Sequence, residues 1–320
     1  MRIVVWHGYL LGGTGSNVYT RALAREWSRA GHDVVVVCQE RDAGSYDLGG
    51  ARVVVPELPE NLLPVFVLDR YAGLRPKLLQ DFSAGERRAY VAANAAALSE
   101  LLPADLLFVN HVLPGGAVGA ATGHPFRVKA HGSELEYSMR GRPELEALGR
   151  ESLAAADATY VGSRHIREVL EDVVGHVDRV FEVPPGVDVE EFRLQARDEA
   201  LTRLLEEADK DPPNPGNENE RLPDADNAVR LARFLAGDER TILYFGKLIE
   251  QKGVQVLIEA TETVVARLVV VGFGPYRARL EQAAGYRALF TGPLEHRHLR
   301  HLLPLADATV VPSIFPEAFG

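Results

Sequence analysis

The sequence predicts an α/β protein with largely parallel sheets, divided into two units. Three observations lead there. Short apolar runs rich in valine and leucine alternate with stretches of helical spacing through residues 2–183, the pattern of strands buried on both faces between crossover helices. That rhythm breaks at VPPGVDVEEF (183–192), where two prolines and a glycine follow a strand-like run, as at a domain boundary. It resumes at Thr241 and continues towards Gly320, and 320 residues are enough for two cores.

Taken in order, RIVVW (2–6) reads as a strand, NVYTRALAREWSRAG (17–31) as a helix stopped by Gly31, and DVVVVC (33–38) and ARVVVPEL (51–58) as strands. Residues 59–83 carry several prolines and are expected to be irregular. GERRAYVAANAAALSELL (85–102) is a long alanine-rich helix. DLLFVN (105–110), a short helix from about Pro114, FRVKA (126–130), a helix near 143–155, ATYVG (158–162), a helix from Ser163 and RVFEV (179–183) complete the first domain, placed at 1–186. Residues 187–240 read as a linker. Its stretch 206–227, EEADKDPPNPGNENERLPDADN, has almost nothing apolar to bury and is expected to be a mobile loop. The second domain, 241–320, offers TILYF, RLVVVG, ALFTG and ATVVP as strands. The chain stops soon after the last of these, so the reading expects a second domain cut short at its C-terminal end.

Composition is that of an ordinary globular chain, 46% apolar and 25% charged. No apolar run has the length of a membrane span, and Met1 leads straight into a strand without a secretory leader, which reads as cytoplasmic. The single cysteine, Cys38, reads as a buried apolar residue. The net charge of −10 argues against a nucleic-acid partner. The acidic excess is concentrated in residues 187–240 (net −7), while 241–320 is near neutral at +1. Arg75, Lys77, Arg87 and Arg88 could share a basic face and touch an anionic membrane peripherally.

Several loops at strand ends carry chemistry. ILYFGKLIEQKGV (242–254) runs a strand into Gly246, Lys247 and Lys252, and Gly253 opens a helix. Two ammonium groups beside a helix N-terminus suit a diphosphate, including one that leaves as its bond breaks. GGTGS (12–16), with Gly12 and Gly13, follows the first strand and offers backbone N–H groups to an oxyanion, but Val18 breaks the G-x-G-x-x-G dinucleotide fingerprint. Glu40, after the second strand, is the one residue that keeps a nicotinamide reading open. His131, in HGSELEY (131–137), stands at a strand's carboxyl end, with Ser133 or Glu134 to cap or orient it. His111 has a similar place. GFGPYRARL (272–280), with Gly274, is a second glycine loop, whose Arg277 and Arg279 read as surface charges. Glu317 follows the last strand and could accept hydrogen bonds from sugar hydroxyls. His296, His298 and His301 lack a partnering carboxylate or cysteine set, so no metal site is read there.

Together the early GG, HGSELE, VGSRHIREVL, VPPGVD, FGKLIEQKGV, VVVGFGP, FTGPL and LADATVVPSIFPEAFG resemble, in order, the family-four retaining glycosyltransferases of GT-B architecture. The resemblance implies two Rossmann-like parallel-sheet domains facing a cleft, acceptor-side first and nucleotide-sugar donor-side second. It implies that Gly12, Gly13 and Gly274 approach the donor, that His131 sits near the transferring sugar, and that Lys247 and Lys252 bind the diphosphate and stabilise it as leaving group. The backbone near Leu294 would read the nucleobase, and Glu317 would be the first carboxylate of the family's E-x7-E motif. It implies hexose transfer from a nucleotide-diphosphate sugar with retention of anomeric configuration, no cofactor and no metal. Three departures stand out: Lys247 where the family usually has arginine, Phe273 in place of the aspartate of GDGP, and no second carboxylate after Glu317 within the sequence. A nicotinamide-dependent oxidoreductase, a sugar-nucleotide epimerase and a non-catalytic nucleotide-binding scaffold are the alternatives.

Overall fold

The computed structural model describes residues 1–69 and 71–315, so Glu317 lies outside the described residues. Contacts divide the chain between Pro185 and Gly186 into two compact units.

The first unit begins with β1 (Arg2–Trp6), α1 (Gly15–Arg29), β2 (Asp33–Val37) and β3 (Arg52–Val54), then β4 (Leu62–Val65) and β5 (Arg75–Leu78). It continues through α2 (Ala84–Ser99), β6 (Leu106–Asn110), α3 (Ala117–Ala121), β7 (Phe126–Lys129), α4 (Pro143–Ala154), β8 (Ala158–Val161), α5 (Arg164–Val174) and β9 (Val180–Glu182). Seven of these strands form one sheet, ordered β3-β2-β1-β6-β7-β8-β9, with every pair parallel. Strand order reverses between β1 and β6, and the carboxyl ends at such a reversal are the usual ligand position of an open α/β sheet. Ile3, Val5, Val34, Val36, Cys38 and Phe108 pack with α1's Ala24 on one face. Cys38 is buried, and burial pushes its thiol up to about 12.

The stretch 59–83 is more regular than its prolines suggest, because β4 and β5 pair in parallel as a two-stranded ribbon. Pro64 and Pro76 lie in it. Each strand of a ribbon has one unpaired edge, where a missing N–H costs nothing, and Leu63 and Val65 are buried beneath. Three of the four cations of the expected basic face have carboxylate partners. Arg75 pairs with Glu60 at 3.0 Å, Lys77 with Glu86 at 2.8 Å, and Arg87 with Glu144. Glu86 is at once the closing residue of the Ser83 capping box that starts α2.

The second unit contains α6 (Arg197–Ala208), α7 (Asn227–Phe234), β10 (Thr241–Phe245), α8 (Val254–Thr261), β11 (Arg267–Val271), α9 (Arg277–Ala284), β12 (Ala288–Phe290), α10 (His296–Leu302) and β13 (Ala308–Thr309). Its parallel sheet is ordered β12-β11-β10-β13. The period of two in β10 and β11 supplies both faces. Leu243, Val269 and Val271 face α6, α7 and α10, whereas Tyr244, Leu268 and Val270 face α8 and α9.

That division corrects the reading of 187–240 as a linker. Leu204 on α6 and Leu231 on α7, together with Leu235, are fully buried in the second unit's core. Arg267 at the start of β11 donates to the carbonyls of Phe234, Leu235 and Ala236, placing a cation on the C-terminal end of α7. The acidic stretch 206–227 also follows a defined course. Its own amides do what apolar burial could not: Asn214, buried, donates to the carbonyls of Asn219 and Pro223 and accepts from the Asn219 N–H. Asp224 anchors the stretch to β12, its N–H donating to the Thr291 carbonyl at 2.8 Å. Among the described residues no helix is long and apolar enough to cross a membrane.

Candidate functional site

The carboxyl ends of β1, β6 and β7 each release a histidine. His7 follows β1, His111 follows β6, and His131 follows β7 by one residue beyond Ala130. The three rings form a short ladder, with centroids 6.0 Å apart from His7 to His111 and 4.7 Å from His111 to His131. Tyr9 and Phe66 close on His111 at 5.4 and 4.9 Å, and Tyr19 meets His131 edge-on at 5.4 Å.

One carboxylate organises the two loops. Glu134, fully buried, accepts from His111 Nδ1 at 3.2 Å, from the Val112 N–H at 3.3 Å and from the His131 N–H at 2.9 Å. Burial pulls its pKa up, but His111 and these donors outweigh burial and hold it below the usual carboxylate range. His111 itself has φ +70°, a conformation a non-glycine residue adopts only when its surroundings impose it. The Glu134 bond and the His111 N–H bond to the Lys129 carbonyl at 2.7 Å are those surroundings.

Burial disfavours the charged form of His7 and of His131. Burial, reinforced by His111, pushes His7 down to about 3. Burial first, then His111, His7 and Lys129, keep His131 well below its ordinary value. Lys129 is lowered to about 8 by burial, which Glu134 opposes, and it donates to the Val183 carbonyl at 3.2 Å. Asn17, in the first turn of α1, donates to the Gly12 carbonyl at 2.5 Å and so presents its oxygen to His7 Nε2 at 2.8 Å. Asn110 donates to the Trp6 carbonyl at 3.3 Å and presents its oxygen to His131 Nε2 at 2.7 Å.

The glycine loop ahead of α1 is shaped by packing. A Cβ on Gly12 would stand 2.5 Å from the Tyr46 hydroxyl, and Gly13 has φ +88°. Glu40, the residue that kept a nicotinamide reading open, turns back onto this loop and accepts from the Leu11 N–H at 3.3 Å.

In the second unit, sheet order reverses between β10 and β13, and Gly246–Gly253 leaves β10 at that point. Lys247 and Lys252, both half-buried, flank Leu248 and Ile249. The Gly272–Gly274 loop after β11 lies against them. Leu248 N–H donates to the Phe273 carbonyl at 2.8 Å, and a Cβ on Gly274 would come within 2.4 Å of the Leu248 carbonyl. The chain after β13 covers the other side: the Ile314 N–H donates to the Gln251 carbonyl at 3.0 Å. Leu294 is buried in the core, between β12 and α10. Phe273 is buried too, with the Arg221 guanidinium 5.2 Å over its ring.

Arg277 is no surface charge, because it grips the buried Asp224. The three histidines near α10 go separate ways: His298 Nε2 lies 3.1 Å from Asp211, His301 Nδ1 is 2.8 Å from Gln195, and His296 meets the Phe192 ring. Among the described residues no three His, Cys, Asp or Glu side chains gather as metal ligands would. Sequence reasoning singled out His131, left Ser133 or Glu134 open as the residue that orients it, and gave His111 less weight. It missed His7, Asn17 and Asn110. The available signal was the recurrence of a histidine at each of three strand exits in a row.

The family described as Glycosyltransferase Family 4 matches residues 13–191, more than half the chain, and Glycosyl transferases group 1 matches residues 239–320. The chain belongs to glycosyltransferase family 4. This family-four chain is 31% identical over 193 residues to D-inositol 3-phosphate glycosyltransferase of Xylanimonas cellulosilytica, covering 56% of the chain and 40% of that protein. It spans less than half the length of the curated relatives it matches. Sucrose-phosphate synthase from Thermosynechococcus elongatus superposes over 100% of the chain and 77% of its own, with TM-score 0.64 at 19% identity. Anabaena HepE in complex with UDP superposes over 100% and 76%, with TM-score 0.66 at 14% identity. These likenesses give the family-four chain its fold, GT-B, built from two Rossmann-like parallel-sheet units.

Proposed function

We propose that this family-four chain transfers a hexose from a nucleotide-diphosphate sugar to an acceptor, with retention of anomeric configuration. The observation that carries the reading is the Gly246–Gly253 loop. It sits at the switch point of the second unit's sheet, bears two lysines, and is backed by the Gly272–Gly274 loop. In this reading Lys247 and Lys252 neutralise the diphosphate and stabilise the charge it gains as the glycosidic bond breaks. Gly12 and Gly13 let the donor approach the N-terminus of α1, which carries neither an acidic first-turn residue nor a side-chain cap. Gly274 keeps the lysine loop in place, the backbone at Leu294 meets the base, and His131 meets the transferring sugar. Glu317 completes the sugar contacts. Support for a nucleotide partner comes from relatives: HepE is solved with UDP and with UDP-glucose, and a Mycolicibacterium smegmatis relative is described as a GDP-mannose-dependent mannosyltransferase. No step of the proposed chemistry draws on a metal or other cofactor.

Thermal stabilisation against UDP, GDP, ADP and NAD at matched concentrations tests it. A ligand that binds the folded state raises the melting temperature by mass action. One nucleoside diphosphate is expected to give a clear shift and NAD none. A shift with NAD alone would overturn the reading.

A further inference from the structure

We propose that Asn110 is the positioning residue of the His131 site: it fixes the imidazole as the Nε2–H tautomer and so leaves Nδ1 as a hydrogen-bond acceptor for a hydroxyl of the donor sugar. The inference deepens the transferase reading and rests on it for the identity of that hydroxyl. The tautomer itself follows from geometry alone.

Asn110 is fully buried at the last position of β6, and its amide has two neighbours. One is the Trp6 carbonyl, 3.3 Å from Nδ2, and the other is His131 Nε2, 2.7 Å from Oδ1. A carbonyl can only accept, so the NH2 group must face Trp6 and the oxygen must face the histidine. An amide oxygen can only accept in turn. His131 Nε2 therefore carries the proton, and in the neutral ring Nδ1 holds the lone pair.

The ring stays neutral first because it is buried, and then because of the groups beside it. His111 and His7 continue the ladder from β6 and β1, Lys129 lies on β7 itself, Tyr19 comes from α1, and Glu134 holds the His131 backbone N–H. Glu134 pairs with His111 at 3.2 Å, which directs its charge to the middle ring of the ladder. His131 is thereby an acceptor at Nδ1 and cannot serve there as a proton donor to the leaving diphosphate.

The test joins a spectrum to a binding difference. Side-chain 15N–1H correlation on the ligand-free protein reads the tautomer, with Nε2 expected pyrrole-like and Nδ1 pyridine-like. Affinities for UDP against UDP-glucose, and for GDP against GDP-mannose, then isolate the sugar's share. Asn110→Leu is expected to mix the tautomers and to lose about ten-fold in the affinity of the sugar nucleotide, leaving the bare diphosphate unchanged. Asn110→Asp keeps the acceptor oxygen. At a pH where the ring stays neutral it is expected to keep the tautomer and the sugar's share of affinity, while its charge raises the His131 pKa and shifts the loss of that share to higher pH. A pyrrole-like Nδ1 in the unmodified protein overturns the proposal, whether or not any nucleotide binds or Asn110→Leu folds. An intact sugar increment in Asn110→Leu overturns the positioning role. Failure of both diphosphates to bind would count against the transferase reading, with the tautomer still decided by the spectrum.

Discussion

Arg277 closes both terminal nitrogens on one carboxylate, Nη1 on Asp224 Oδ1 at 2.8 Å and Nη2 on Oδ2 at 2.5 Å. The aspartate side chain is 1% exposed and also pairs with Arg230 at 3.2 Å. The pair joins the acidic stretch to the first turn of α9, and Gly292 leaves just enough room for it, since a Cβ there would stand 2.8 Å from Oδ1. Removing the carboxylate takes the shared anion from two guanidinium groups, of which Arg277 keeps Glu281 and Arg230 keeps Asn227 and the Phe290 carbonyl. Asp224→Ala is expected to cost the second unit about 1–3 kcal/mol, read as a lower urea midpoint. A loss within experimental error would show that the stretch is held by its amides alone.

The lysine loop gives a prediction on affinity. Lys247→Ala and Lys252→Ala are each expected to weaken nucleoside-diphosphate binding about ten- to a hundred-fold, the range of a charge-assisted hydrogen bond, and to leave nucleoside binding nearly unchanged. Lys247→Arg should retain most of the affinity, because charge is kept and the fork suits phosphate. Titration calorimetry with diphosphate and nucleoside separates the two effects.

Gly274 gives a prediction on shape. It has φ +150°, and its Cβ would press on the Leu248 carbonyl, which accepts from the Tyr276 N–H at 3.1 Å. Gly274→Ala is expected to lose about 1–3 kcal/mol through backbone strain and to weaken diphosphate binding as the lysine loop shifts. Unaltered binding with lowered stability would confine Gly274 to a packing role.

The histidine ladder predicts acid sensitivity. His7 takes a proton near 6.5 when unfolded but only near 3 when folded, and His131 is displaced in the same direction. The unfolded state therefore binds more protons below pH 6.5, and stability must fall as pH drops from 6.5 towards 3. Each group contributes at most about 1.4 kcal/mol per pH unit. Glu134 adds to this at lower pH, because its folded pKa is depressed: its contribution is complete above about 4.5 and is lost as pH falls through the folded value. Urea midpoints at pH 7.5 and pH 5.5 measure the slope. His7→Gln should lower stability overall while flattening that slope, and an unchanged slope would place the acid sensitivity elsewhere.

What the sequence determined by itself is what short-range pattern carries. Valine-rich runs such as RIVVW, DVVVV and RLVVV, short and β-branched, read as strands buried on both faces, and alternation with helices then favours parallel pairing. The loops at strand ends were legible for the same reason, since glycine, lysine and histidine at a carboxyl end of a sheet have few structural uses. Glu134 was legible only as one of two alternatives with Ser133, and its hydrogen bonds to both histidine loops decide between them.

Tertiary structure decided the rest, wherever the partner is distant in the chain. The acidic stretch looked unable to order itself because its anchors, Arg277 and Thr291, lie more than fifty residues away. The supposed linker turned out to hold Leu204 and Leu231, whose burial depends on strands that come later. Asn110 and His131 are 21 residues apart, and Trp6, the carbonyl that orients the asparagine, lies 104 residues before it. Only the β1–β6–β7 register brings these three together, so which nitrogen of His131 holds its proton is a property of the sheet and not of any local motif.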